Sequence, residues 1–195
     1  MLIDKIIVYG AGAAGSNLLI NLVCIHPEIS FVAVDFDKIE LRNITPKTQP
    51  YSKSDINRPK VQALQKILLT TYEKKIEILN KEIRGKSDFA GLGENTLLVD
   101  AFDNAKSRNL FIGLPYPVVH VGFSVQLTGE IAWDTVWTKM TESKADAKID
   151  VCELHLAKPF IQSLTGIAAI VISEFIRNNK KTNVYFDSEL RLRKF

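Results

Sequence analysis

The chain has 195 residues, the size of one ordinary domain. Its 46% hydrophobic and 24% charged residues, with 10 glycines and 7 prolines, exclude collagenous, coiled-coil and wholly disordered classes. A net charge of +3 is too small to argue for a nucleic-acid or membrane partner, and two cysteines, Cys24 and Cys152, build neither a disulfide framework nor a four-thiolate zinc site.

Met1 to Lys5 runs straight into a strand-like stretch without the apolar segment and cleavage site of a signal peptide, so a cytoplasmic protein is expected. Ile3 to Tyr9 reads as a strand closed by Gly10. After Gly15, Leu18, Leu19, Leu22, Val23 and Ile25 recur at helical spacing, which assigns Cys24 to a core helix that Pro27 stops. Ser30 to Val34 is the next apolar run and ends at Asp35, completing a βαβ unit and predicting a parallel sheet.

From Phe36 to Asn57 no period is visible, and a structureless stretch of about twenty residues inside a domain is usually functional. Pro59 then opens a helix that fades near Thr70. Strands are expected at Ile76 to Ile83, Thr96 to Val99 and Val118 to Val121, with a helix over Ala105 to Ile112. Gln126 to Val136 alternates and is expected to turn the sheet antiparallel. Lys139 to Lys158 reads as a polar exposed loop carrying Cys152, Pro159 to Asn178 as a long buried helix, and Val184 to Phe186 as a strand before a basic end, Arg191 to Lys194. The expectation is a doubly wound, Rossmann-like α/β fold with a mainly parallel sheet and an antiparallel C-terminal extension. It divides into a nucleotide-binding core (1–138), a loop (139–158) and a terminal helix and strand (159–195) of a single domain.

Gly10-Ala11-Gly12-Ala13-Ala14-Gly15 fits G-x-G-x-x-G between a strand and a helix, where glycines permit a tight turn and close approach to phosphate. Helix-start N–H groups would face the anion. Asp35, at the end of the second strand, offers a carboxylate to ribose hydroxyls. Up to this point an NAD-dependent dehydrogenase explains the residues equally well.

The next segments separate the readings. Val34-Asp35-Phe36-Asp37-Lys38-Ile39-Glu40-Leu41-Arg42-Asn43, then Arg58-Pro59-Lys60-Val61, then Val99-Asp100-Ala101-Phe102-Asp103-Asn104 with Arg108 form an ordered set. It resembles the superfamily of ubiquitin-activating enzymes and the ThiF and MoeB adenylyltransferases, with their GxGxxGS, VDxDxVExxNxxRQ, PKV and DxxDNxxxR patterns. Gly129-Glu130-Ile131, Pro159 to Phe175 and Val184 to Asp187 resemble later elements of that family.

The resemblance implies adenylation of the C-terminal glycine of a small ubiquitin-like or sulfur-carrier protein, with ATP and Mg²⁺, in a homodimer. It implies that Gly10, Gly12, Gly15, Asp35, Asp37, Asn43 and Lys60 bind the nucleotide. Asp103 is then the metal ligand, and Asp103, Lys60, Lys47 and Cys152 take part in the chemistry. Lysine supplies a flexible point charge for phosphates and aspartate a hard oxygen for Mg²⁺. Each residue also has an ordinary reading: Lys60 as surface charge, Asn43 as a turn residue, Asp103 as a helix cap, Arg108 as an ion-pair partner, and His26 and His120 as structural groups.

Departures accompany the matches. The family's arginine after Asn43 is replaced by Ile44-Thr45-Pro46-Lys47-Thr48-Gln49, in which Lys47 is the only cation and cannot reproduce a bidentate guanidinium. Glu153-Leu154-His155-Leu156 stands where relatives carry glycine after their reactive cysteine, and the arginine-bearing N-terminal helix and zinc CxxC pairs of many relatives are missing from these residues. Two rivals follow: an inactive carrier-binding or subunit-binding module, and an NAD-dependent oxidoreductase, the latter disfavoured because 195 residues leave no separate substrate domain.

Overall fold

β1 (Lys5–Tyr9), β2 (Ser30–Val34) and β4 (Thr96–Asp100) are almost continuously apolar because both faces of their sheet are covered. The computed structural model describes residues 2–45, 47–134, 154–189 and 191–195. With β3 (Glu77–Leu79), β5 (Val118–Phe123), β6 (Thr128–Trp133), β7 (Val184–Asp187) and β8 (Leu192–Lys194), the strands form one sheet of order β3-β2-β1-β4-β5-β6-β7-β8. β1 to β5 run parallel, and β6, β7 and β8 add antiparallel.

Alternation along each strand sends Ile6, Val8, Phe31, Ala33, Leu97 and Val99 to one face. There they meet α1 (Ala13–Ile25), α2 (Lys60–Tyr72) and α4 (Ala157–Asn178). Ile7, Tyr9, Val32, Val34 and Leu98 point to the opposite face, which is closed by Phe89 and Phe111. Tyr9, Phe89 and Phe111 pack at centroid separations of 4.9–5.3 Å, two of the three pairs edge-on, within the range favoured by aromatic quadrupoles. The fold class is therefore as expected, but among the described residues the second face carries short turns and α3 (Ala105–Arg108) rather than long helices.

Several expected boundaries shift. α1 starts at Ala13, and only Glu77–Leu79 of the expected third strand pairs. The Ala105 to Ile112 helix is a four-residue α-helix followed by a 3₁₀ turn, Asn109–Phe111. The stretch from Phe36 to Asn57 holds two 3₁₀ turns, Leu41–Asn43 and Lys53–Asp55. The basic end is β8, because Leu192 to Lys194 find unpaired backbone groups on β7.

Cys24 is exposed, which corrects its assignment to the core. The inward stripe of α1 is Leu18, Leu19, Leu22 and Val23, continued by buried His26 just past its end, and positions 24 and 25 fall on its far side. α4 is long and apolar enough to cross a membrane by length and composition, yet Ile161, Leu164, Ala168 and Ile172 are fully buried against the sheet and α1. It serves as a core helix, as expected. Of the Lys139 to Lys158 loop, residues up to 153 lie outside the described residues; His155 occupies a turn and Lys158 is already helical.

Candidate nucleotide site at the switch point of the sheet

The strand order reverses between β1 and β4, so the loops leaving these two neighbours diverge and open a crevice at their carboxyl ends. The glycine turn after β1 forms one wall. Gly10 has φ +94, and a Cβ there would lie 2.7 Å from Ala101 O, so only glycine lets the two loops touch. A Cβ on Gly15 would collide with Gly10 O, which lets α1 start directly on the turn. Gly12, the N-cap of α1, has nothing within 4 Å of a would-be Cβ, so its backbone borders open space.

β2 delivers two carboxylates of different character. Asp35 is buried, and both its oxygens are engaged: Oδ2 accepts the Ala11 N–H at 2.6 Å and Oδ1 the Asp37 N–H at 2.8 Å. Burial pushes its carboxyl up from the ordinary range, opposed by the Lys60 ammonium and by those N–H groups. Asp37 is half exposed and receives the Lys60 ammonium, Nζ to Oδ2 at 2.8 Å.

Lys60 is only 8% exposed, so it is not the solvated helix residue of the ordinary reading. The bridge between Lys38 and Pro59, with the Lys60 N–H donated to Asp37 O at 2.9 Å, ties the start of α2 to the loop after β2. Asn43 is buried, with its side-chain oxygen accepting the Glu40 N–H at 2.8 Å to close a turn. Tyr51, fully covered, donates its hydroxyl to Ala11 O at 2.6 Å and clamps the crossover loop onto the glycine turn.

Asp103 is exposed in the loop leaving β4. It is not the cap of α3: Asn104 is, accepting the Ser107 N–H at 2.8 Å. That frees the Asp103 carboxylate. Among the described residues no three His, Cys, Asp or Glu side chains cluster as a metal cage. A lone carboxylate suits Mg²⁺, which typically takes one or two protein oxygens and completes its shell with phosphates and water.

Lys47, exposed and at φ 66, lies outside this crevice proper. It borders a cavity of about 720 Å³ between α1, the crossover loop and α4, shared with Lys53, Lys158, Asn17 and Gln162. Cys152 lies outside the described residues. Arg108 is an ion-pair partner, as read from its position, bonding Glu130 at 3.1 Å. The polar cluster around His120 had no signal in the spacing, because its members come from β4, α3, β5 and β6.

A family model for the ThiF family matches residues 3–116, more than half of the chain. The chain belongs to the ThiF family. No curated protein matches it. Solved structures similar to this ThiF-family chain include E. coli MccB with ATP (15% identity, TM-score 0.73, covering 98% of this chain and 63% of that one). MccB with N-formylated MccA (16%, TM-score 0.72, 98% and 64%) and PaaA (18%, TM-score 0.69, 98% and 63%) are also similar. At these identities the likeness is one of fold, and the chain spans under two thirds of each of those chains.

Proposed function

We propose that this ThiF-family chain uses ATP and Mg²⁺ to adenylate the C-terminal carboxylate of a small protein or peptide. The observation that carries the reading is the buried Lys60 ammonium, set against Asp37 beside the glycine turn. A dinucleotide site needs the turn and one acidic residue but no such lysine, whereas a triphosphate attacked by an anion needs a cation to offset repulsion.

The two β2 carboxylates divide their work in this reading. Asp35, with both oxygens committed to N–H groups, braces the turn on which the nucleotide rests, and half-exposed Asp37 reaches the ribose hydroxyls. The Gly12 backbone and the first N–H groups of α1 face the phosphates. Asn43 is assigned to the leaving phosphates, Lys47 would have to reach in from the neighbouring cavity to join it, and Asp103 would hold Mg²⁺, which when bound supplies positive charge to them. A carboxylate oxygen of the acceptor attacks the α-phosphorus. The bond to the bridging oxygen breaks, and that oxygen departs with its electron pair as pyrophosphate. The protein contributes positioning and charge rather than proton transfer.

The acceptor we favour is a ubiquitin-like or sulfur-carrier protein with a Gly-Gly tail, slim enough to pass between the loops towards Gly12 and Asp103. MccB is seen both with ATP and with the peptide MccA, which supports a peptide-like acceptor. Onward transfer to Cys152 and a twofold homodimer complete the proposal.

The test is carrier-dependent exchange of labelled pyrophosphate into ATP, which reports the reversible chemical step. Exchange with a Gly-Gly-tailed carrier is expected. ATP binding without exchange for any peptide or carrier assigns the chain as a non-catalytic module instead. Tight NAD binding with no response to ATP overturns both.

A further inference from the structure

The sheet register gathers three polar side chains below the loop that carries Asp103, and a fourth reaches them from α3. Asp100 and His120 are direct partners across β4 and β5, and Glu130 stands opposite Gly122 across β5 and β6. Asp100 and His120 are both fully buried. Asp100 Oδ2 lies 3.0 Å from His120 Nδ1, and its Oδ1 accepts the Phe102 N–H at 3.1 Å, one residue before Asp103.

Arg108 reaches in from α3. Its Nη2 contacts His120 Nε2 and donates to Glu130 Oε1 at 3.1 Å, while its Nε lies 3.9 Å from Asp100 Oδ2 with no hydrogen bond. Gly122 leaves the slot open: a Cβ there would fall against the imidazole Nε2 and 3.6 Å from Arg108 Nη2.

We propose that His120 is a positioning residue for the nucleotide and metal site, a neutral imidazole protonated at Nδ1 that ties Asp100 to Arg108. Donor and acceptor accounting assigns the tautomer. Among its contacts with the described residues, a guanidinium only donates, so Nε2 presents its lone pair to Nη2, and the Asp100 carboxylate is the acceptor, so Nδ1 carries the hydrogen. The rival arrangement puts a proton on Nε2, aimed at Glu130 Oε1 3.5 Å away, and sets two N–H groups against each other.

His120 acts through its neighbours. It fixes the carboxylate of Asp100, which pins the Phe102 N–H, while the Ala101 N–H bonds Tyr9 O at 2.9 Å and Ala101 O packs on Gly10. Two anchors thus set the direction in which Asp103 leaves the sheet. Arg108, held by His120 and Glu130, fixes the far end of the same segment. What Asp103 does there rests on the adenylation reading; the tautomer does not.

Two measurements on the full chain test this. Long-range proton–nitrogen correlation of the imidazoles at neutral pH should show, for the ring lost in His120→Leu, a protonated Nδ1 and a bare Nε2. The opposite tautomer or an imidazolium overturns the proposal. Calorimetric titration with ATP should then show the Mg²⁺-dependent gain in affinity falling about tenfold in His120→Leu and in Gly122→Ala, with affinity in the absence of Mg²⁺ within twofold of wild type. A merely structural histidine would lower the melting temperature and leave that gain intact, which also overturns the proposal. If the core variants do not fold, Glu130→Gln at the half-exposed end should reduce the gain about threefold, and no reduction counts against it. A wild type that shows no Mg²⁺-dependent gain instead overturns the nucleotide reading, and with it any role for His120 at that site.

Discussion

The Lys60 ammonium sits 2.8 Å from Asp37 although 23 residues separate them, and only the Asp37 end of the pair is open to solvent. In the proposed reading this buried cation offsets the charge of the nucleotide phosphates. Lys60→Ala should therefore abolish nearly all pyrophosphate exchange, by at least about 10²–10³, the scale of losing one group that stabilises developing charge. Because Asp37 is half exposed, its loss of a partner should change stability by on the order of 1 kcal/mol. Exchange that survives at wild-type rate with a folded variant would remove Lys60 from the chemistry.

Lys47 occupies the sequence position closest to the missing family arginine, and its backbone lies in the left-handed region at φ 66. Lys47→Gly removes the charge while relaxing the backbone, so it should be neutral to slightly stabilising and yet reduce exchange by about 10²–10³. Equal exchange in the variant means that another cation serves the leaving phosphates. Lys53 and Lys158, which border the same cavity, are the next residues to replace.

Asp103 and Asn104 are adjacent and separable. Asp103→Ala should erase the Mg²⁺ dependence of ATP binding and leave the melting temperature near wild type, because it caps nothing. Asn104→Ala should cost about 1 kcal/mol by freeing the Ser107 N–H. Calorimetry and thermal unfolding on both variants check the assignment, and a swapped result would reverse it.

Asp88 gives the pH dependence a sign. The Lys81 ammonium, with the Arg84 and Gly85 N–H groups, holds its carboxyl down to about 2. A depressed carboxyl contributes stability that is present above its ordinary pKa near 4 and lost as pH falls towards about 2. Asp35 works in the opposite direction, since burial raises it and protonation relieves that cost. Denaturant titrations should show stability falling over that acid window, less steeply in Asp88→Asn. An unchanged slope would detach Asp88 from the acid limb.

For Cys152 the expected outcome is a thiol-reversible adduct when protein, carrier, ATP and a sulfur donor are mixed, seen by mass spectrometry. Cys152→Ala should lose the adduct and keep pyrophosphate exchange, because the two steps use different groups. The same adduct in the variant would assign the chemistry to another thiol, and exposed Cys24 is the one to replace next.

Local signals were enough for the βαβ start, the glycine turn, the acidic end of β2, the lysine helix and the switch to antiparallel pairing. Each depends on residues close in sequence, such as a turn that only glycine can adopt or an apolar period that fits one face. Tertiary structure decided what depends on partners far along the chain. It made Asp35 a buried brace and left Asp37 open, because the Ala11 N–H comes from a different loop. It turned Cys24 outward, since the apolar stripe of α1 is set by the sheet beneath. It made a strand of the basic terminus by offering the edge of β7. The cluster of Asp100, His120, Arg108 and Glu130 depends on strand register, a property of pairing between segments that no spacing within one segment encodes.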